Sequence, residues 1–196
     1  MAGAIPLQGR QRLRLLSEQL RTTVERHSSR WLDLQRMIFG EIERWLDRAQ
    51  WADHFRRQDV AEMVVEAIEH RIQRGDWSVD EYTVMPTHIH LFCQVEDGEL
   101  KAVLQDFKRW TGHRGSKILG VERKRFWQRE WFDHWSRSDE EDERTVAYIR
   151  NNPVKAGLSE TWELWPYRSR LFLPAGTLAT PSSVHIPRSH PAGGTY

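Results

Sequence analysis

The hydrophobic pattern of this chain changes its period at Gly75, and this change constrains the fold strongly. Before Gly75, apolar residues recur every three or four positions, which is typical of amphipathic helices that bury one face. Asp59 is expected to cap the last of three helices, and Gly75 to end it. The three stripes are Leu13, Leu16, Leu20 and Val24; Trp31, Leu34, Ile38, Ile42 and Trp45; and Val60, Met63, Val64, Ala67 and Ile68.

After Gly75 the period falls to two. Residues 82–85 form a short predicted strand, and apolar and polar side chains alternate over residues 87–95. We expect the apolar face of the second strand to pack on helices, which leaves its other face to line a site. Helical spacing returns after residue 100, and the aromatic content of residues 126–135 predicts a further strand. On the second predicted strand, residues 87–95, the apolar face holds Ile89, Leu91, Cys93 and Val95, and the other face holds His88, His90, Phe92 and Gln94.

Length and composition restrict the class of protein. At 196 residues the chain fits one domain with tails, with 39% hydrophobic and 29% charged residues. It has no apolar run of the roughly 20 residues that a membrane span needs, and its first residues do not resemble a secretory signal. The single cysteine, Cys93, allows no internal disulfide. We therefore expect a cytoplasmic protein.

The predicted domain covers residues 1–173. Its first part, residues 1–75, is mainly helical, whereas residues 76–173 contain the sheet, a basic segment and a helix that carries a tyrosine. From residue 174 to residue 196 the chain is rich in Pro, Gly, Ser and Thr. This composition is typical of a flexible tail.

Positive charge is concentrated in residues 101–137, although the formal net charge of the chain is only +1. This segment holds ten basic and four acidic residues, interleaved with six tryptophan and phenylalanine side chains from Trp110 to Trp135. Aromatic rings beside cations suit the stacking of unpaired bases and the neutralisation of phosphates. The alternative interpretation is a solvated helix face next to buried tryptophans.

A final helix is predicted to begin at Ser138. Ser138 is a suitable N-cap with Glu141 as its capping-box partner, and the next residues are acidic, as the helix dipole favours. Because proline disfavours helical geometry in the residue before it, Pro153 should end the helix near Asn152. Tyr148 and Asn152 would then share one face of the last turn.

The residues His88, His90, Tyr148 and Asn152 suggest metal-assisted chemistry. Two imidazoles and an amide oxygen suit an ion such as Mn²⁺ and leave positions open for phosphate oxygens, whereas a structural zinc site normally needs four protein ligands. A tyrosine hydroxyl has a pKa of about 10, so a nearby metal or base must favour its reaction. Both fragments also have ordinary structural explanations, as packed or surface histidines and as a packed tyrosine.

Three segments in order carry a family resemblance: Val84-Met85-Pro86-Thr87-His88-Ile89-His90-Leu91, Phe126-Trp127-Gln128-Arg129-Glu130-Trp131-Phe132-Asp133, and the stretch from Tyr148-Ile149-Arg150-Asn151-Asn152 to Leu158. They resemble the single-tyrosine HUH transposases, and among these the REP-associated tyrosine transposases. The agreement spans residues 2–172. The resemblance implies an α+β fold with a ferredoxin-like antiparallel sheet.

The resemblance also implies roles for individual residues. His88, His90 and Asn152 would bind Mg²⁺ or Mn²⁺, and Tyr148 would be the nucleophile. The implied substrate is single-stranded DNA near a hairpin, cut to leave a 5′-phosphotyrosine and a free 3′-hydroxyl by a monomer or homodimer. The expected DNA contacts are Lys108, Arg109, Arg123, Lys124, Arg125, Trp127, Arg129 and Lys155.

The chain departs from the family pattern at its start. Family members usually open with a strand that begins Gly-Gly-Thr-Tyr, and residues 190–196 resemble that lead-in instead. We therefore expect the first strand to be missing or displaced to the C-terminus. A circular permutation, a mis-set boundary or coincidence would each explain this. Two other functions stay open: a metal-dependent nuclease that uses water as the nucleophile, and a hairpin-binding module without activity.

Overall fold

The fold combines helices with a small antiparallel sheet, which confirms the α+β class. The computed structural model describes residues 5, 7–23, 28–47, 53–95, 99–121, 125–127, 136 and 138–170. The helices are α1 (Leu7–Thr22), α2 (Ser29–Asp47), α3 (Gln58–Arg74), α4 (Leu100–Ile118) and α5 (Asp139–Lys155), with short 3₁₀ turns at His54–Arg56 and Trp162–Leu164. The strands are β1 (Ser78–Val84) and β2 (Ile89–Gln94).

Helices α1 and α2 pack against each other and bury their own apolar cluster. Its buried members are Leu16 from α1 and Leu34, Ile38 and Ile42 from α2, all of which belong to the predicted stripes. Glu41 is also buried here, and its carboxylate pairs with Arg12 at 3.2 Å and Arg44 at 2.8 Å. We call this pair of helices the helical hairpin.

Helix α3 lies at the centre of the main core. Its predicted stripe is buried, and it packs with α4 and the sheet around Tyr82 and Trp77. Asp59 does not cap the helix, contrary to the prediction: α3 begins at Gln58 after Arg57, and the Asp59 carboxylate accepts two hydrogen bonds from the Arg57 guanidinium instead. Gly75 ends α3 as predicted, in the left-handed conformation with φ 75°.

Strand β1 is the middle of a short three-segment arrangement. One edge pairs with β2, where Thr83 lies opposite His90, and the other edge meets residues 167–169 through a bridge between Thr83 and Arg168. Ile89, Leu91 and Cys93 pack against the main core, as expected of the apolar face of β2. Residues 190–196, which resemble the lead-in to an opening strand of the predicted ferredoxin-like sheet, lie outside the described residues.

The predicted strand over residues 126–135 is not observed where it can be examined. Phe126 and Trp127 lie outside any strand, and residues 128–135 are outside the described part of the chain. The Trp127 indole N–H donates to the Thr111 hydroxyl at 2.9 Å, and its ring packs near Phe55 and Phe107. Aromatic residues fill a gap between helices as readily as they form a strand, so composition alone was wrong for Phe126 and Trp127.

Helix α5 begins as predicted but continues beyond its expected end. The Ser138 hydroxyl accepts a hydrogen bond from the Glu141 amide at 3.3 Å. The helix passes through Pro153 and ends at Lys155, so Tyr148 lies about two turns before its end rather than on the last turn. A proline removes one helical hydrogen bond, and the following turn is still closed by the Gly157 amide, which donates to the Val154 carbonyl at 2.9 Å.

Gly115 in α4 allows Phe126 to approach the helix closely. A Cβ at Gly115 would overlap the Phe126 ring, whereas a Cβ at Gly40 in α2 would meet nothing within 4 Å. We expect Gly115→Ala to lower the free energy of unfolding by about 1–3 kcal/mol through overpacking. Gly40→Ala should raise it by roughly 0.5–1 kcal/mol, because alanine favours the helix. Urea denaturation of both variants measures the two effects, and equal changes would contradict this packing.

Candidate metal and tyrosine site

Three parts of the fold meet at one buried site. Helix α2 contributes Glu43, the segment at the start of β2 contributes His88 and His90, and α5 contributes Tyr148. His88 precedes β2 and His90 lies within it, so the period of two holds across the start of the strand. Both histidines are buried, and their Nε2 atoms are 2.9 Å apart. The structure therefore brings together the two histidines and the tyrosine that the sequence singled out.

The tautomer of His88 follows from its neighbours. The Thr87 hydroxyl lies 2.9 Å from the Leu46 carbonyl, which can only accept, and 2.8 Å from Nδ1 of His88. Since the hydroxyl has one hydrogen and donates it to Leu46, the Nδ1–H of His88 donates to the hydroxyl. In the neutral ring, Nε2 then carries a lone pair that faces His90. This is the form in which an imidazole binds a metal.

Burial keeps both histidines neutral. It lowers the pKa of His88 to about 4 and the pKa of His90 well below its usual value. At neutral pH their contacts with Glu43, at 3.8 Å from His88 Nε2 and 3.5 Å from His90 Nε2, are therefore not ion pairs. Neutral imidazoles need no proton release before they bind a cation.

Glu43 is a site residue that the sequence reasoning missed. Its side chain is buried, and its Oε2 atom accepts a hydrogen bond of 2.6 Å from the Tyr148 hydroxyl, 105 residues away in the chain. The local signal was an acidic side chain directly after Ile42 of the apolar stripe. Glu41, directly before Ile42, gives an equivalent signal but pairs with arginines in the helical hairpin. Only the tertiary structure distinguishes the two glutamates.

The Tyr148 ring is held on two sides. It makes edge contacts with Phe39 at 5.5 Å and with His90 at 5.6 Å between ring centroids. The Lys155 ammonium lies 5.9 Å from the centre of the ring. Asn152 is buried one turn after Tyr148, and its amide nitrogen donates to the Tyr148 carbonyl at 2.9 Å. Its role as a metal ligand stays a prediction.

The donor set fits a divalent cation. One ligand atom each from Glu43, His88 and His90 lies within 4.8 Å of the others. Two ligand atoms bound side by side at about 2.1 Å from one ion lie roughly 3.0 Å apart in octahedral geometry and about 3.4 Å apart in tetrahedral geometry. The two histidine Nε2 atoms are 2.9 Å apart. Oε2 of Glu43 is 3.5 Å from Nε2 of His90, and Oε1 is 3.8 Å from Nε2 of His88. These separations are near the values for ligands of one ion. Two imidazole nitrogens and a carboxylate oxygen suit a transition ion such as Mn²⁺.

The predicted DNA contacts are spread over several segments. Lys108 and Arg109 are on α4, where Arg109 is exposed and pairs with Asp106 at 2.6 Å. Arg125 and Lys155 are exposed, whereas Trp127 is partly buried against the main core. Contact of these residues with DNA stays a prediction. The predicted contacts Arg123, Lys124 and Arg129 lie outside the described residues.

None of the helices in the described part of the chain combines the length and the apolar composition needed to cross a membrane. Searches among curated proteins and among solved structures found no significant match. The sequence model of the transposase IS200-like family, in contrast, matches residues 45–152. This range is more than half of the chain and includes both histidines and Tyr148. The chain therefore belongs to the IS200-like transposase family.

Proposed function

We propose that this transposase nicks single-stranded DNA at or near hairpins and transfers the strand through a covalent bond to Tyr148. The observation that carries the proposal is the position of the tyrosine hydroxyl. It is bonded to Glu43 at 2.6 Å, and Glu43 belongs to the same buried cluster as His88 and His90. A nucleophile beside a group that can bind a cation suits metal-assisted cleavage of a phosphodiester.

The two histidines are proposed to hold Mg²⁺ or Mn²⁺, with Asn152 as a further ligand from the tyrosine helix. A bound ion would polarise the scissile phosphate and stabilise the charge that develops on it. Glu43 orients the tyrosine hydroxyl by accepting its hydrogen bond. Phe39 and the neutral His90 ring fix the phenol on two sides, which restricts its motion before attack.

The covalent step balances as an exchange at phosphorus. The Tyr148 oxygen forms a bond to phosphorus and loses its proton, while the bond from phosphorus to the 3′ oxygen breaks and that oxygen gains a proton as a free 3′-hydroxyl. The DNA is left as a 5′-phosphotyrosine. Attack by a 3′-hydroxyl on this phosphotyrosine reverses the step and completes strand transfer.

Positively charged side chains outside the site are proposed to bind the phosphates of the DNA strand. Lys155 is exposed two turns after Tyr148 on α5 and is near enough to its ring to reach a phosphate beside it. The proposed contacts from the basic segment are Lys108, Arg109, Arg123, Lys124, Arg125, Trp127 and Arg129. The protein would act as a monomer or homodimer.

Denaturing electrophoresis tests the reaction directly. The purified chain is incubated with labelled single-stranded oligonucleotides whose stem-loops and flanks are randomised, with Mn²⁺ or Mg²⁺ and with a chelator. We expect a covalent adduct that resists denaturant in the presence of the metal and disappears in the chelator. Metal-dependent cleavage without an adduct would instead support a nuclease that uses water. Binding without any cleavage would support a silent hairpin-binding module.

A further inference from the structure

We propose that the Glu43 carboxylate links the nucleophile to the metal site: it is a protein ligand of the ion bound by His88 and His90, and it also aligns the Tyr148 hydroxyl. This inference rests on the proposed function and deepens it. It assigns α2 a direct part in the chemistry.

The geometry supports both contacts at once. Oε2 of Glu43 accepts the tyrosine hydrogen bond at 2.6 Å and is 3.5 Å from Nε2 of His90. The other oxygen, Oε1, is 3.8 Å from Nε2 of His88. An ionised carboxylate has about four lone-pair sites on two oxygens, so one oxygen can bind an ion while the other accepts the hydroxyl. An amide in its place has only one accepting oxygen, so it cannot bind the ion through one oxygen while the other accepts the hydroxyl.

Glu43 lies before residues 45–152, the range that matches the family model. The inference therefore comes from the position of α2 in this structure. Leu46 of the same helix also sets the tautomer of His88, through the Thr87 hydroxyl. Two independent contacts thus join the last turns of α2 to the histidine pair.

Metal affinity tests the ligand role without relying on activity. Mn²⁺ binding to the full chain is measured by electron paramagnetic resonance of the free ion, for the unaltered protein and for Glu43→Gln. We expect Glu43→Gln to weaken Mn²⁺ binding at least tenfold. The matched control is Glu41→Gln, a buried glutamate two residues away, which should bind Mn²⁺ within twofold of the unaltered protein. Equal affinities of Glu43→Gln and the unaltered protein would overturn the ligand role.

The rate of adduct formation at saturating Mn²⁺ tests the alignment role. If the carboxylate also positions the tyrosine, Glu43→Gln forms the adduct at least tenfold more slowly than the unaltered protein, even when Mn²⁺ fills the metal site. Recovery of the full rate at high Mn²⁺ would overturn this part. Absence of any adduct in the unaltered protein, with the affinity difference still present, would overturn the proposed reaction and support the ligand role.

Circular dichroism verifies that each variant is folded. If Glu43→Gln unfolds, Glu43→Asp replaces it, because aspartate keeps the charge and withdraws both oxygens by one methylene. Weaker Mn²⁺ binding by this folded variant, relative to Glu41→Asp, supports the proposal. Unchanged binding contradicts it.

Discussion

Replacing Tyr148 with phenylalanine is expected to abolish DNA cleavage and the covalent adduct together. The substitution removes the oxygen that is proposed to attack the phosphate and keeps the ring that packs against Phe39 and His90. Because no other atom of the side chain can take over, we expect the rate to fall by at least about 10⁴-fold. Single-turnover cleavage of a hairpin oligonucleotide, followed on a denaturing gel, measures the loss.

Tyr167→Phe is the matched control for this experiment. Tyr167 is a partly buried tyrosine that packs against Trp165 and the main core. Tyr167→Phe should leave the rate of DNA cleavage unchanged. Mn²⁺ binding should persist in Tyr148→Phe, because the histidines are untouched. Cleavage by Tyr148→Phe at the rate of the unaltered protein would exclude the tyrosine as nucleophile and favour attack by water.

Replacing Arg150 with methionine is expected to lower the free energy of unfolding by about 3 kcal/mol, because it leaves a buried charge without its main partner. Glu81 of β1 is 1% exposed, and its Oε2 atom pairs with Nε of Arg150 at 2.5 Å. The Arg150 guanidinium also lies 4.6 Å from the centre of the Trp162 ring. This ion pair anchors the tyrosine helix to the sheet, so urea denaturation should report a large shift of the midpoint.

Two variants separate the buried charge from general effects of the substitution. Arg144→Met removes an exposed arginine from the same helix and should change stability by about 0.5 kcal/mol or less. The double variant Glu81→Gln/Arg150→Met removes both charges and should recover a large part of the loss. If Arg150→Met costs no more than Arg144→Met, the pair does not anchor α5.

Local sequence patterns predicted most of the elements and three of the four side chains that meet at the candidate site, namely His88, His90 and Tyr148. Helical stripes and the alternation around His88 and His90 depend on neighbouring residues, and the structure confirms them. Errors arose where two local rules compete. Pro153 disfavours a helix, yet packing carries α5 through it, and the rings of Phe126 and Trp127 suit a core as well as a strand.

Glu43 shows why the remaining part of the site could not be predicted. It is 45 residues from His88 and 105 residues from Tyr148 in the chain, and it reaches both through the placement of α2. No period or spacing in the sequence indicates that residues so far apart in the chain lie side by side in the fold. The carboxylate differs from that of Glu41 only in what the folded chain places beside it.

The helical hairpin and the main core bury separate apolar clusters, and the site lies where the two meet. Such clusters can open as separate cooperative units, each with its own free energy of opening. Departure of α2 from the sheet would take away the partner of the Tyr148 hydroxyl and the carbonyl that orients His88, while the core around α3 stays folded. The local stability of the hairpin, rather than that of the whole chain, would then limit the fraction of molecules in which the proposed site is assembled.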